Sequence, residues 1–558
     1  MKKLRWQILI VFLTLGVVVI LLLTQKQAEV TLAVPQPVSG GVYTEALVGS
    51  FGRLNPMLDL YNPADRDVDR LIFSGLLRFD STGTPVPDLA DSWGVSLDGT
   101  VYNLSIRPNA LWHDGQPVTS DDVIFTIGLL QSEFSAFPPD VRALWSQVEV
   151  VRLSDKALQF RLPEPFAPFL DYLTFGVLPL HLLQNIPPDQ LANAPFNLAP
   201  VGSGPFRFEQ LMVEEGRVTG VVLSANPDYY GQVPYIEQVV FRYYPDSASA
   251  MEAYQQGEVL GIGQIAPEIL PAALADPNLA LYSSRLPRLT LVLLNLNDTT
   301  APFFQDKDIR RALMMGLNRQ WMVNTYLGGQ AILTDSPLLP GTWAYYDGLD
   351  PIPFDRRAAI NLLQDEGYSL PPDGFARVRE GMALRFTLLY PDDGRHVLLA
   401  QAIQRDWAAL GVEVTLEAVP YRQLIEERLA ARNYQAALVD LDMSRAYDPD
   451  PYPFWHQAEI TGGQNYSQWD NRTASEYLEQ ARVIADREAR ARLYRNFQVI
   501  FARELPALPL FFEVYNYGVD GQVRGVQVAP LFEPADRFNG IWDWYLVTGR
   551  AEQPAGEP

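Results

Sequence analysis

His113, His181, His396 and His456 are the only imidazoles in the chain, and they lie far apart in sequence. None forms an H-E-x-x-H pair, which would set two imidazoles one helical turn apart on a metal. Cysteine is absent, which excludes disulfides, thiolate nucleophiles, zinc–thiolate and iron–sulfur sites, and a cysteine-borne lipid anchor. There is no G-x-S-x-G elbow, no phosphate-cradling loop ending in Gly-Lys-Ser/Thr, and no G-x-G-x-x-G opening a helix. An enzyme reading, such as an extracellular peptidase, therefore has no nucleophile or metal site to stand on. Asp98, Asp114 and Asp121 have the chemistry of catalytic carboxylates but not the setting. Asp98-Gly99 and Asp114-Gly115 read as tight turns, and Asp121 falls in the first turn of a helix opened by Thr119-Ser120. What remains is recognition without covalent chemistry. One segment suits it: Arg445, Tyr447, Tyr452, Phe454 and Trp455 crowd into eleven residues, joining a fixed cation to aromatic walls.

Those side chains need a large frame. The 558 residues exceed what one hydrophobic core supports, so two or three lobes are expected. Lys and Arg total 43 against 66 Asp and Glu, a formal charge of −23. That balance repels nucleic acid and anionic lipid surfaces and suits a domain bathed in solvent outside a cell.

Lys2, Lys3 and Arg5 precede an apolar run from Trp6 to Leu23, broken only by Gln7, Thr14 and Gly16. Its length matches one hydrocarbon thickness, and its cationic flank orients residues 1–5 to the cytoplasm and the rest outward. It reads as an uncleaved transmembrane anchor. A signal peptide cut near Thr31-Leu32-Ala33 is the alternative. Residues 24–41 read as a tether and 549–558 as a tail.

Between residues 42 and 295 short strands dominate, as at Val101–Ile106, Leu158–Leu162 and Gln238–Tyr243, with helices at Ser120–Glu133 and Ser247–Gln256. After Leu289–Asn295 helical patterns alternate with strands: helices at Lys307–Tyr326, Arg356–Glu366, His396–Leu410, Thr473–Ile484 and Arg487–Glu504, strands at Leu384–Tyr390, Val412–Val419 and Ala436–Leu441. That alternation predicts an α/β lobe. The expected architecture is α/β with two lobes: residues 42–296 plus 513–548, and residues 297–512, with crossings near Asn295–Asn297 and Leu510–Phe512.

A series of segments then carries a resemblance. Leu54-Asn55-Pro56, Ser74 to Asp80, Pro87 to Trp93, Asp98-Gly99-Thr100 and the run Arg107 to Val123 follow one another in order. Gly202-Ser203-Gly204-Pro205-Phe206, Asn226-Pro227-Asp228-Tyr229-Tyr230, Asp308 to Leu313, Asp365-Glu366-Gly367-Tyr368 and Asp448-Pro449 come after them. Together they resemble the family 5 extracellular solute-binding proteins, the oligopeptide, dipeptide and nickel binders. The resemblance implies a type II periplasmic-binding-protein-like fold with an extra β-rich subdomain in lobe one. It also implies hinge closure on a peptide or similar small solute, delivery to the permease and ATPase subunits of an ABC importer, and no cofactor. A receptor or chaperone uncoupled from transport is the alternative, and a nickel or metal-chelate binder a further one.

By position in the resemblance, Ser50 and Phe51 in lobe one and Asp442, Arg445, Tyr447 and Trp455 in lobe two are expected at the solute, with Phe512 and Tyr515 at the hinge. Peptide-binding relatives place an amine-holding Asp where this chain has Arg445. A cation there repels an ammonium group and attracts a carboxylate, unless it pairs with Asp442 three residues away.

Overall fold

The computed structural model describes residues 37–547 apart from 81–82, 373, 444–447 and 529–530. The anchor expected at 6–23 lies outside the described residues, and among those described no helix is long and apolar enough to cross a membrane.

Fifteen of the strands among the described residues build the two sheets that matter here. β1 is Val42–Val48. A four-stranded sheet of β2 (Ala90–Val95), β3 (Val101–Ile106), β4 (Glu149–Ser154) and β5 (Ala157–Arg161) follows, in the order β2-β3-β5-β4. Next come β6 (Phe206–Glu214), β7 (Arg217–Ala225), β8 (Gln238–Tyr244), β9 (Gly261–Ile262), β10 (Leu279–Leu294) and β11 (Ala331–Leu333). β12 (Arg385–Pro391), β13 (Glu413–Val419), β14 (Ala436–Asp442) and β15 (Ala507–Asp520) complete the set. One sheet runs through the molecule in the order β13-β12-β14-β10-β15-β9-β1-β8-β7-β6, with β11 also on β15. The helices used below are α1 (Pro63–Ile72), α2 (Ser120–Gln131), α3 (Lys307–Met315), α4 (Arg319–Tyr326), α5 (Arg356–Asp365), α6 (Gly394–Ala408), α7 (Arg472–Val483) and α8 (Arg487–Glu504). Several start where the sequence supplies a side-chain acceptor. Asp355 accepts from Ala358 N at 2.9 Å, Asn471 from Ala474 N at 2.9 Å and Asp486 from Ala489 N at 2.7 Å, each satisfying an N–H that the first turn leaves unpaired.

Burial separates two large cores. One joins Tyr43 to Leu286 with Tyr515 to Trp544; the other runs from Leu289 to Phe512. The chain passes between them on two adjacent antiparallel strands, β10 and β15. The register slips at the passage: Arg285 faces Val514 and Leu289 faces Phe512, so β10 advances four residues while β15 advances two. Pro287 sits in that slip, without an N–H to give to the ladder. A second slip falls at Thr290/Leu291 opposite Phe511/Pro509, again at a proline. Asn295, where a crossing was expected, is instead fastened inside lobe two, donating to Tyr434 O at 2.9 Å and to Arg432 O at 3.1 Å.

The quoted motifs interlock within lobe one. Asn226 Nδ2 donates to Gly204 O at 3.1 Å, Tyr230 Oη to Asp88 Oδ1 at 2.5 Å, and Arg107 Nε to Asp88 O at 2.6 Å. Neither Gly202 nor Gly204 has a positive φ. Close approach is the reason for them: a Cβ on Gly202 would lie 1.9 Å from Ile72 O, and one on Gly204 2.5 Å from Leu71 O. Asp98 and Asp114 serve turns, accepting from Thr100 N at 3.2 Å and Gln116 N at 3.0 Å, while Asp121 pairs with Arg152 at 2.9 Å. Below them Arg537 is fully buried between Glu45 at 2.6 Å and Asp67 at 2.8 Å, and Tyr43 and Tyr517 each donate to Glu45. That ionic knot ties the C-terminal segment to β1 and α1.

Candidate functional site

Strand direction locates the site. β14 pairs antiparallel with β10 so that Ala436 faces Leu294 and Asp442 faces Arg288, which points its carboxyl end at the crossing. β12 runs parallel to β14 and therefore ends on the same side. In lobe one, Gly261 and Ile262 of β9 face Val519 and Gly518 of β15, so β9 also advances toward the crossing. β1 runs parallel between β9 and β8 and ends beside them at Val48. The carboxyl ends of both lobes' parallel strands thus converge on one junction. In lobe two β12 lies between β13 and β14, so the chain reverses direction across the sheet there. Open α/β sheets bind ligands in that crevice.

Charged groups of both signs fill the junction. From β10, Arg288 reaches Asp442 at 3.6 Å and Glu513 at 3.8 Å. Arg395, in the first turn of α6, bridges Asp440 of β14 and Glu513 of β15. Asp393 caps α6 through His396 N at 3.0 Å and binds the His396 ring at 2.6 Å. Thr290 donates to Asp440 at 2.7 Å. Burial alone would raise the Asp440 carboxyl, but the His396 hydrogen bond and the Arg395 charge outweigh it and hold Asp440 well below the usual carboxylate range.

On the lobe-one side Ser50 is exposed and Phe51 half-buried. The turn they occupy is rigid. Asn62 donates to Ser50 O at 3.0 Å, and Asp65 accepts from Gly52 N at 3.0 Å and Arg53 N at 2.9 Å. Phe51 meets the edge of Tyr243 at 6.4 Å between centroids. Of the lobe-two residues, Asp442 is exposed at the end of β14, whereas Arg445 and Tyr447 lie outside the described residues.

Three expected site residues are buried. Trp455 is 1% exposed and packs edge-on against Phe501 at 4.8 Å, because the helical turn Tyr452–Trp455 faces it toward α8. Phe512 is buried in the second core. Tyr515 is buried in the first and donates to Gly263 O. All three side chains are buried, and Phe512 and Tyr515 stand at the crossing on β15, opposite Leu289 and Ser284.

Sequence reasoning missed Arg288, Arg395, Asp440 and Glu513, which only the strand order brings together. It also missed the contact between lobes beside Asp448. The Asp448 N–H donates to the Asp171 carboxylate of lobe one, while the Asp448 side chain is held by Arg490 and, at 3.1 Å, by Tyr494 Oη. Arg482 pairs with Asp450 at 2.7 Å and lies 3.6 Å over the Tyr452 ring and 5.6 Å from that of Phe166 in lobe one. Arg487 donates to Thr84 across the same seam at 3.0 Å. The i, i+4 spacing of Arg490 and Tyr494 on α8 was the one local signal available. Among the described residues, Asp306, Asp308 and Glu366 lie close enough together to hold a metal ion, but Arg379 stands 3.9 Å from Asp306 and 3.8 Å from Glu366, so a cation of the protein's own is already there.

Comparison with known proteins agrees with this geometry. Residues 84–465 match the model of the bacterial extracellular solute-binding proteins, family 5 middle. The oligopeptide-binding protein AppA of Bacillus subtilis is 26% identical over 522 residues, covering 92% of this chain and 93% of that protein. The dipeptide-binding protein of Escherichia coli is 25% identical over 483 residues, covering 82% and 87%. The solved structure of HbpA2 from Haemophilus parasuis superposes with a TM-score of 0.78 at 22% identity, covering 91% of this chain and all of that one; that likeness shows the two-lobe α/β periplasmic-binding-protein fold. The chain belongs to the family 5 bacterial extracellular solute-binding proteins.

Proposed function

We propose that this chain is the extracytoplasmic substrate-binding subunit of an ABC importer, capturing peptides between its lobes and presenting them to a permease and its ATPase. The observation that carries the reading is the convergence of both lobes' strand ends on one charged junction, crossed among the described residues by two paired strands. Closure over a solute converts binding energy into a change of shape that a membrane partner reads. The names of the relatives, oligopeptide- and dipeptide-binding proteins, support peptide as the solute class. Arg288, Arg395, Asp440, Asp442 and Glu513 suit a zwitterionic ligand, offering a partner to each end.

Ser50, Phe51, Asp442, Arg445 and Tyr447 are the proposed contacts. Arg445 and Tyr447 stand in sequence between Asp442 at the junction and Asp448 at the seam between lobes, which supports their place. The segment 6–23 is proposed as the membrane tether. Calorimetric titration of the purified protein with a mixed peptide pool tests the function. Saturable binding is expected, and no binding to peptides of any length sinks the peptide reading.

A further inference from the structure

Buried carboxyls elsewhere in lobe one find their partners there, and opening the cleft leaves them as they are. Asp69 lies in reach of the Asn55 N–H and the Asp59 carboxyl, and Asp67 shares Arg537 with Glu45. Asp171 is different. It is 8% exposed and sits in the short helix Ala167–Leu173, whose Phe169 and Leu173 are sunk in the lobe-one core. Among the described residues its carboxylate accepts one hydrogen bond, from the Asp448 N–H of lobe two, and has no cation at ion-pair distance. A buried carboxylate without a cation favours its neutral form.

The cations around it are committed elsewhere. Arg490 and Tyr494 of α8 hold the Asp448 carboxylate. Arg482 of α7 holds Asp450 at 2.7 Å, and Arg487 of α8 donates to Thr84 at 3.0 Å. From lobe one, Tyr172 stands beside Asp171 in sequence and Tyr102 of β3 meets Phe169 at 4.8 Å between centroids; neither brings a positive charge. Asp171 also borders a lobe-one cavity of about 260 Å³, where Arg66 and Arg70 are paired with Asp59, Glu533 and Asp536, and Arg78 lies 5.2 Å from the Trp542 ring centre. The seam therefore buries two carboxyls, one from each lobe, and gives a cation in contact to Asp448 alone. Burial and the Asp448 charge push the Asp171 carboxyl well up; the Asp448 N–H, Arg490 and Arg487 oppose that rise without cancelling it.

We propose that the Asp171–Asp448 contact is a proton-operated latch: closing the lobes places a proton on the Asp171 carboxyl, so acid solution favours the closed form and solute capture. As the Asp448 turn arrives, a proton from solvent adds to one Asp171 oxygen while the other goes on accepting the Asp448 N–H. Opening carries the turn away, returns Asp171 to water and releases the proton. The closed form thus holds the extra proton, and its advantage is lost as pH rises through the raised value of Asp171. It grows as pH falls from there toward the ordinary carboxyl value and is complete below that. Within the window, affinity for a solute that requires closure rises by up to about tenfold per unit fall in pH. The link to solute rests on the transport reading above; the latch itself does not.

Two readouts test it on the wild-type chain and on Asp171→Asn, which keeps an oxygen for the Asp448 N–H but takes up no proton. The first needs no solute: small-angle scattering at about pH 5 and about pH 8, on either side of the range a raised carboxyl covers. The wild-type radius of gyration is expected to be smaller at the lower pH, and the variant's to be the same at both. The second is calorimetry with the peptide pool at the same two pH values, repeated in buffers of different protonation enthalpy to count protons. Wild type is expected to bind more tightly at the lower pH and to take up more protons than the variant, by up to one. The variant is expected to lose that pH dependence and to bind at the higher pH at least as tightly as wild type. A wild-type radius that ignores pH, with no proton taken up on binding, overturns the latch whatever the variant does. So does an equal pH dependence in both proteins, or a variant weakened equally at both pH values, which would make Asp171 a structural residue only. If the pool binds at neither pH, the transport reading fails and scattering alone decides the latch.

Discussion

The backbone N–H of Asp448 in lobe two donates to the side-chain carboxylate of Asp171 in lobe one. Both carboxyls are buried, and burial raises both, with the charge of Asp448 adding to the rise of Asp171. This bond links the two lobes directly, protein to protein. Asp171→Ala removes the acceptor and leaves the Asp448 N–H unpaired. The closed form should lose about 1–3 kcal/mol, the cost of an unsatisfied buried group, and solute affinity should fall with it. Small-angle scattering would show a larger radius of gyration without solute. An unchanged radius together with unchanged affinity would show that the seam does not depend on this bond.

Arg445 was assigned on position alone, so its substitution is informative. If it holds a solute carboxylate, Arg445→Ala costs about 1.5–3 kcal/mol of peptide affinity, and amidating the peptide's carboxyl terminus costs a similar amount. Calorimetry with amidated and acetylated pools separates the two ends. Sensitivity to acetylation alone moves the carboxylate partner away from Arg445.

Stability should respond to pH through Asp59. Its folded-state value is raised from 3.8 to about 7, so between those limits the folded chain binds more protons than the unfolded one. Unfolding free energy therefore falls as pH rises through that window, with the favourable contribution complete below it and lost above it. Asp440 and Glu533, both held below their ordinary values, act oppositely and only in more acid solution. Urea titrations at the two ends of the window measure the slope. Asp59→Asn with Asp69→Asn should flatten it; a slope untouched by both substitutions removes this acid pair as its origin.

The Glu45–Arg537–Asp67 knot makes a further demand. Arg537→Met leaves two buried carboxylates facing each other, and breaking such a pair by removing one partner costs about 3–5 kcal/mol. Replacing all three with Glu45→Gln, Asp67→Asn and Arg537→Met should recover much of that loss. Guanidinium unfolding midpoints of the single and triple variants provide the comparison, and a triple variant no more stable than the single one contradicts it.

Local structure was legible where periodicity and caps agree. β3 and α8 run as expected, at Val101–Ile106 and Arg487–Glu504, the latter with Asp486 as its cap. A single helix over Lys307–Tyr326 is in fact two, because Asn318 caps a new start by accepting from Trp321 N at 3.1 Å. β10 reads as a short strand from Leu289 because Pro287 looks like a stop, yet the strand extends back to Leu279 through the slip. The C-terminal strand stops at Val523–Arg524, since Gly525 turns the chain with φ +79°. The proposed contacts Ser50, Phe51 and Asp442 follow from the resemblance. Arg288, Arg395 and Glu513 do not: each is an unremarkable charge in its own segment, and only the crossing strands make them neighbours. That Trp455 turns inward was not legible, because an aromatic beside other aromatics carries no sign of which way a one-turn helix faces.

The paired crossing strands also decide what kind of movement the molecule can make. A joint of two loose loops would let the lobes slide, swivel and separate in several directions. Here β10 and β15 are hydrogen-bonded to each other on both sides of the slips at Pro287 and Pro509, so sliding one lobe along the strands would break the ladder in both. Bending at the slips breaks little, because the ladder is already interrupted there. The joint therefore behaves as a flexure with one soft axis, and the jaws meet along the same path each time, with or without cargo between them.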